Sequence, residues 1–149
     1  MTTRPSATRR QFRPWALVGY FVILGAAGVL ALGYVEPHQR LTAVEARIPD
    51  FYAHASNLLI SCVLVLTFSL VLLLYDGRLR HITGFALVVV AANYAYEGML
   101  SLWNTLDLVD AHYGAAGALV SWAFFAVVAR IGMAPNPSHT ANSRGHSPQ

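Results

Sequence analysis

The sequence predicts an all-α, polytopic membrane protein with four transmembrane helices and both termini cytoplasmic, and three observations carry that prediction. Hydrophobic residues make up 56% of the 149 residues and charged ones only 11%, with a mean hydropathy of +0.48, which lies outside the soluble globular range. The apolar residues gather into four runs separated by short polar connections. The ten basic residues are all arginines, and they cluster beside those runs on one set of connections. This pattern excludes a soluble enzyme, a disordered regulator and a disulfide scaffold. The single cysteine, Cys62, lies inside a run and has no partner for an intramolecular disulfide. The net charge of +3 follows from the membrane flanks, so no nucleic-acid partner is expected.

Each element can be justified in order. Residues 1–13 are polar and basic without apolar periodicity, and read as a disordered cytoplasmic tail. Within it Thr8, Arg9, Arg10, Gln11 and Phe12 resemble a twin-arginine export signal, but further spans follow, and a basic cytoplasmic anchor is the reading taken. Residues 14–133 form the membrane domain. Its first run, Trp15 to Val35, contains no charge and at about 1.5 Å per residue covers about 30 Å of hydrocarbon. Pro14 suits the first turn of that helix. The second run extends from His54 to Tyr75, the third from Ile82 to Trp103, and the fourth from Tyr113 to Ile131. Aromatic residues at their ends, among them Trp15, Tyr34, Tyr52, Tyr75, Trp103 and Tyr113, suit the headgroup level. Residues 134–149, rich in Pro, Ser, Asn and Gly, read as a second disordered tail.

Orientation follows from arginine placement. Arg4, Arg9, Arg10, Arg13, Arg78, Arg80, Arg130 and Arg144 fall on one side, against Arg40 and Arg47 on the other, so the first side is cytoplasmic. The outer connection from Glu36 to Tyr52 repeats Leu41, Val44 and Ile48 at helical spacing, which fits a short surface helix. Gly114, Gly117 and Ser121 in the fourth run permit close helix approach. On that reading Gly117→Leu is damaging and Gly117→Ala is tolerated much better.

The polar residues within and beside the runs are the functional candidates. Glu97 lies inside the third run, where an ionisable side chain costs about 2.5 to 3.5 kcal/mol on insertion scales and therefore needs a purpose or a partner. Asn93, Glu97, Leu100 and Asn104 fall on one helix face, which makes Asn93 and Asn104 candidate partners. Asp50 and His54 are four residues apart where the second run begins. Asp50 also has the position of an N-cap accepting backbone N–H bonds. Asp107 and Asp110 precede the fourth run, where carboxylates complement the positive end of a helix, and His112 lies beside them. With the termini inside, Asp50, His54, Glu97, Asp107 and Asp110 collect at one depth of the outer leaflet. His54 is then the nearest partner for Glu97. The same set offers an acid and base pair from His54, Glu97, Asp107 and Asp110, or a hard-metal site from Asp50, His54, Asp107 and Asp110.

The stretch PDFYAHASNLLI resembles the start of the second span in the VanZ-like family of small bacterial membrane proteins, where an Asp is followed four residues later by His. The string DLVDAHYGAAGALV, with Glu97 before it, resembles that family's later motif of a Glu in a span, two Asp three apart, and small residues entering the last span. Asp50, His54, Glu97, Asp107, Asp110 and Gly117 match, over about residues 50–120. Phe51, Leu100 and Gly114 stand where the family has Lys, Gln and Asn. The resemblance implies a multi-pass protein of the bacterial cytoplasmic (inner) membrane, linked to the cell envelope and, in some members, to glycopeptide tolerance.

Three functions stay open on this reading. The first is an accessory or binding role, in which the outer-leaflet residues engage an envelope lipid, a precursor or a partner membrane protein. The second is an enzyme acting on a lipid-linked headgroup. The third is a proton-coupled transporter or small oligomeric channel with Glu97 as relay, built as a homo-oligomer through its glycine-rich spans. No cofactor is expected, since no His lies near a span centre to ligate a haem.

Overall fold

The computed structural model describes residues 10–75, 77–100 and 107–135. Strand β1 (Arg10–Phe12) leads into helix α1 (Pro14–Val35), which begins with Pro at its first turn. A 3-10 turn (Pro37–Gln39) and a one-turn helix α2 (Thr42–Glu45) connect it to α3 (Phe51–Leu74). Helices α4 (Leu79–Leu100) and α5 (Leu108–Ile131) follow, and strand β2 (Met133–Pro135) ends the described chain. Among the described residues the fold is all-α apart from the two short strands, with four helices long and apolar enough to cross a membrane. It is a multi-pass membrane protein. Asn104 and Trp103, together with most of both tails, lie outside the described residues.

Helices α3 and α5 share the broadest contact, α4 packs mainly on α5, and α1 lies against α3. The outer faces are apolar: Phe21 and Leu87 are each 64% exposed, and Val18, Val88, Leu119 and Ile131 join them. A surface of this kind is stable only against lipid. The α3–α5 contact depends on small residues. A Cβ on Gly117 would collide with the carbonyl oxygen of Leu58, and one on Gly114 with the Asn93 side chain. Across the same seam the Ser121 hydroxyl donates to the Cys62 carbonyl at 2.9 Å. Gly117 and Ser121 therefore face a helix, as expected, and even Gly117→Ala carries a cost, because the obstacle is backbone. Gly25 and Gly28 of α1 differ from these, since a Cβ on either meets nothing within 4 Å.

At one end of the bundle β1 and β2 pair antiparallel, with Arg10 opposite Pro135 and Phe12 opposite Met133. The Arg13 amide donates to the Gly132 carbonyl at 2.8 Å, extending the ladder into the helix bases. Residues 10–12 and 134–135, expected within disordered tails, are thus ordered. Phe12 and Met133 explain this by packing against the cluster of Ala16, Leu66, Leu73, Ile82, Phe125 and Val128. At the other end the predicted surface helix is reduced to the single turn of α2. Val44 rests on Phe51, Tyr52 and Ala55, and the Leu41 amide donates to the Tyr52 hydroxyl at 3.0 Å.

Candidate functional site

The end opposite the ladder gathers the start of α3, the end of α4 and the start of α5, and its polar side chains converge there. His54 stands in the first turn of α3. Its Nδ1 lies 2.7 Å from Oδ1 of Asp110 and 3.9 Å from Oδ2 of Asp107. One imidazole therefore faces two carboxylates from a neighbouring helix. The short contact is a charge-assisted hydrogen bond when the ring donates Nδ1–H to Asp110, and that donation leaves the lone pair on Nε2. All three side chains are half-buried, so the pair is partly shielded from water and still reachable.

Local structure explains the placement. Asp107 caps α5, its Oδ1 accepting the Val109 amide at 2.9 Å. The cap sets where α5 begins, one turn before the apolar run. Asp110 then falls in the first turn, where the helix dipole favours a carboxylate. The second oxygen of Asp107 is left to face His54. The Tyr113 ring sits 5.4 Å from the His54 ring and 5.8 Å from Phe51, closing one side of the imidazole.

Glu97, one turn from the end of α4, is only 5% exposed. It belongs to the same end of the bundle and adds a third carboxylate to the neighbourhood. The expected pairing of Glu97 with His54 is corrected: among the described residues the ion pairs of His54 are with Asp110 and Asp107.

Other sequence candidates separate from the cluster. Asp50 occupies the N-cap position of α3 in a left-handed conformation, φ 62° and ψ 10°, and its side chain makes no capping bond. It is exposed and stands outside the group formed by His54, Asp107 and Asp110. The sharp turn from Ile48 and Pro49 into α3 requires the positive φ, which Asp tolerates better than most residues. Asn93 is a packing residue: its Nδ2 donates to the Ser61 hydroxyl at 2.9 Å and to the Val89 carbonyl at 2.8 Å. It ties α4 to α3 below the site. His112 turns back to the Leu108 carbonyl and meets the edge of Tyr94, away from the two aspartates. Asn104 lies outside the described residues.

Sequence reasoning missed Tyr113 as the wall of His54, although an aromatic at the start of a span is a visible signal. Among the described residues, ligand atoms of His54, Asp107 and Asp110 all lie within 4.8 Å of one another, the spacing of a divalent-cation site. Two apolar grooves elsewhere do not reach this cluster. One, about 200 Å³, runs between Thr83, Leu87, Leu119 and Trp122, and the other lies between α1, α3 and α5 beside Gly117. Their linings suit acyl chains rather than chemistry.

No family model, curated protein or solved structure matches this chain.

Proposed function

We propose that the chain is a VanZ-like accessory protein of the bacterial cytoplasmic membrane that binds the headgroup of an envelope lipid or lipid-linked precursor at its outer leaflet. The observation that carries this reading is the meeting of His54 with Asp110 and Asp107 across the α3–α5 seam. A half-buried imidazole between two carboxylates at the membrane boundary is a polar recess that packing does not require. Its placement outside rests on the arginines. Arg10, Arg13, Arg78, Arg80 and Arg130 flank the ladder end, which by the positive-inside tendency faces the cytoplasm.

The 2.7 Å contact also supports a second reading, an enzyme acting on a lipid-linked headgroup. In that case Asp110 would orient the imidazole, and Nε2 would take or give a proton to a hydroxyl or phosphate of the headgroup. The transporter reading has less behind it, because the site sits at one end of the bundle and Asn93, deeper in α4, is engaged in packing.

Lipid profiling of a deletion strain, with glycopeptide sensitivity measured alongside, tests the proposal. It predicts altered abundance of an envelope lipid or precursor and a changed sensitivity, both restored by the wild-type chain and not by His54→Ala. Unchanged lipids and unchanged sensitivity would overturn it.

A further inference from the structure

The charge at the site poses a problem for the function just proposed. Asp107 and Asp110 bring two carboxylates to one imidazole, whereas envelope headgroups carry phosphate. Of the two arginines on the outer loop, Arg40 is engaged elsewhere: it donates to the Gly33 carbonyl at 3.3 Å, pairs with Glu45 at 3.4 Å and lies over the Tyr52 ring. A divalent cation held by the two carboxylates and the imidazole would make this cluster attract phosphate.

We infer that His54, Asp107 and Asp110 bind a divalent transition-series cation, Zn²⁺ or Mn²⁺, whose open coordination positions receive a phosphate or hydroxyl oxygen of the headgroup. The geometry is close to what such an ion needs. Metal–ligand bonds of about 2.1 Å in a tetrahedral site separate neighbouring donor atoms by about 3.4 Å. Here Nδ1 of His54 is 2.7 Å from Asp110 and 3.9 Å from Asp107, and the ligand atoms of all three lie within 4.8 Å of one another, so small side-chain adjustments bring the donors to that separation. The metal takes the position of the proton shared by Nδ1 and Asp110, and that proton moves to Nε2 or to solvent. One imidazole nitrogen with two carboxylate oxygens favours Zn²⁺ or Mn²⁺ over Ca²⁺. Three protein ligands leave room for substrate, as in catalytic rather than structural metal sites. Asp107 is held at its other oxygen by the Val109 amide, which fixes the orientation of the ligating one.

The inference rests on the headgroup-binding reading for its purpose, but its readout is metal affinity, so the two can fail separately. The full chain, purified in detergent without a histidine tag and stripped with chelator, is titrated calorimetrically with Zn²⁺, Mn²⁺ and Ca²⁺ alone. One Zn²⁺ or Mn²⁺ per chain is expected, with Ca²⁺ much weaker. Asp110→Asn, which keeps size and hydrogen bonding, and His54→Ala should each weaken it by roughly tenfold or more, while His112→Ala leaves it unchanged. Circular dichroism and gel filtration confirm that each variant is folded. Absence of binding to the wild-type chain, equal binding by the folded Asp110→Asn and His54→Ala variants, or Ca²⁺ binding as tight as Zn²⁺ would overturn the metal site. If the metal fails while His54→Ala still loses the envelope phenotype, the headgroup reading survives without it. A chain that binds metal but whose deletion leaves lipids and sensitivity unchanged keeps the site and loses that reading.

Discussion

At the ladder end of the bundle, apolar side chains fill the space between helices and a short antiparallel ladder ties the first helix to the last; at the opposite end the same helices meet through His54, Asp107, Asp110 and the buried Glu97. The ladder end needs no polar chemistry to be stable, because Leu66, Phe125 and Val128 pack there and its backbone groups are paired. The site end could have been built the same way, yet it places ionisable groups where their desolvation is costly. Packing explains the first end; at the second, Asp107 and Asp110 serve the start of α5, and their meeting with His54 is what the proposed ligand would use. The middle of the bundle, where Gly117 meets Leu58, holds the two ends in register.

The comparison breaks most completely if the ends face the wrong sides of the membrane. In a Cys62→Ser background, Ala43→Cys should react with an impermeant thiol reagent in intact cells, whereas Gln11→Cys should react only after permeabilisation. Reversed labelling would put the polar site in the cytoplasm and remove its access to outer-leaflet lipid. Next in size is the seam. Gly117→Ala forces the backbone of α3 away from α5 and should cost about 2 kcal/mol, seen as lower membrane abundance and earlier unfolding in detergent. Gly28→Ala, on the open face of α1, should be neutral, and equal effects would mean that the two faces do not differ.

A smaller effect separates two buried serines. The Ser121 hydroxyl bridges to the Cys62 carbonyl, so Ser121→Ala should cost about 1 kcal/mol. The hydroxyl of Ser69, near the ladder end of α3, is buried without a hydrogen-bond partner among the described residues. Ser69→Ala should be neutral or slightly stabilising in thermal unfolding, since it removes an unsatisfied group. A loss as large as that of Ser121→Ala would show that Ser69 has a partner after all.

The four spans were legible because lipid imposes a simple rule: about 20 apolar residues must run uninterrupted. Their starts were less so. Helix α5 begins at Leu108 rather than at Tyr113, because Asp107 caps it and its first turn, with Asp110 and His112, is polar and stands outside the apolar run. The ladder was invisible, since three-residue strands have no measurable alternation and depend on where α1 happens to begin and α5 to end. For the site, topology alone brought His54, Glu97, Asp107 and Asp110 to one end. The choice of partners was not legible. Whether His54 meets Glu97 or Asp110 depends on helix rotation, and that rotation is set by Gly114 and Gly117 packing against Asn93 and Leu58. Asp50 was misplaced for a related reason: four-residue spacing assumes helix on both sides, and Asp50 sits in a left-handed turn.

The claim that His54 and Asp110 work as one site is tested most directly by a double-mutant cycle on the envelope phenotype. His54→Ala, Asp110→Asn and the double variant are compared for complementation of a deletion strain at matched membrane abundance. Each single substitution should abolish complementation, as measured by glycopeptide sensitivity and lipid profile, and partial-loss variants such as His54→Gln with Asp110→Glu should be no worse together than the weaker one alone. Effects that multiply across the two positions, or full complementation by either single variant, would contradict a shared site and leave the pair as an interhelical tie.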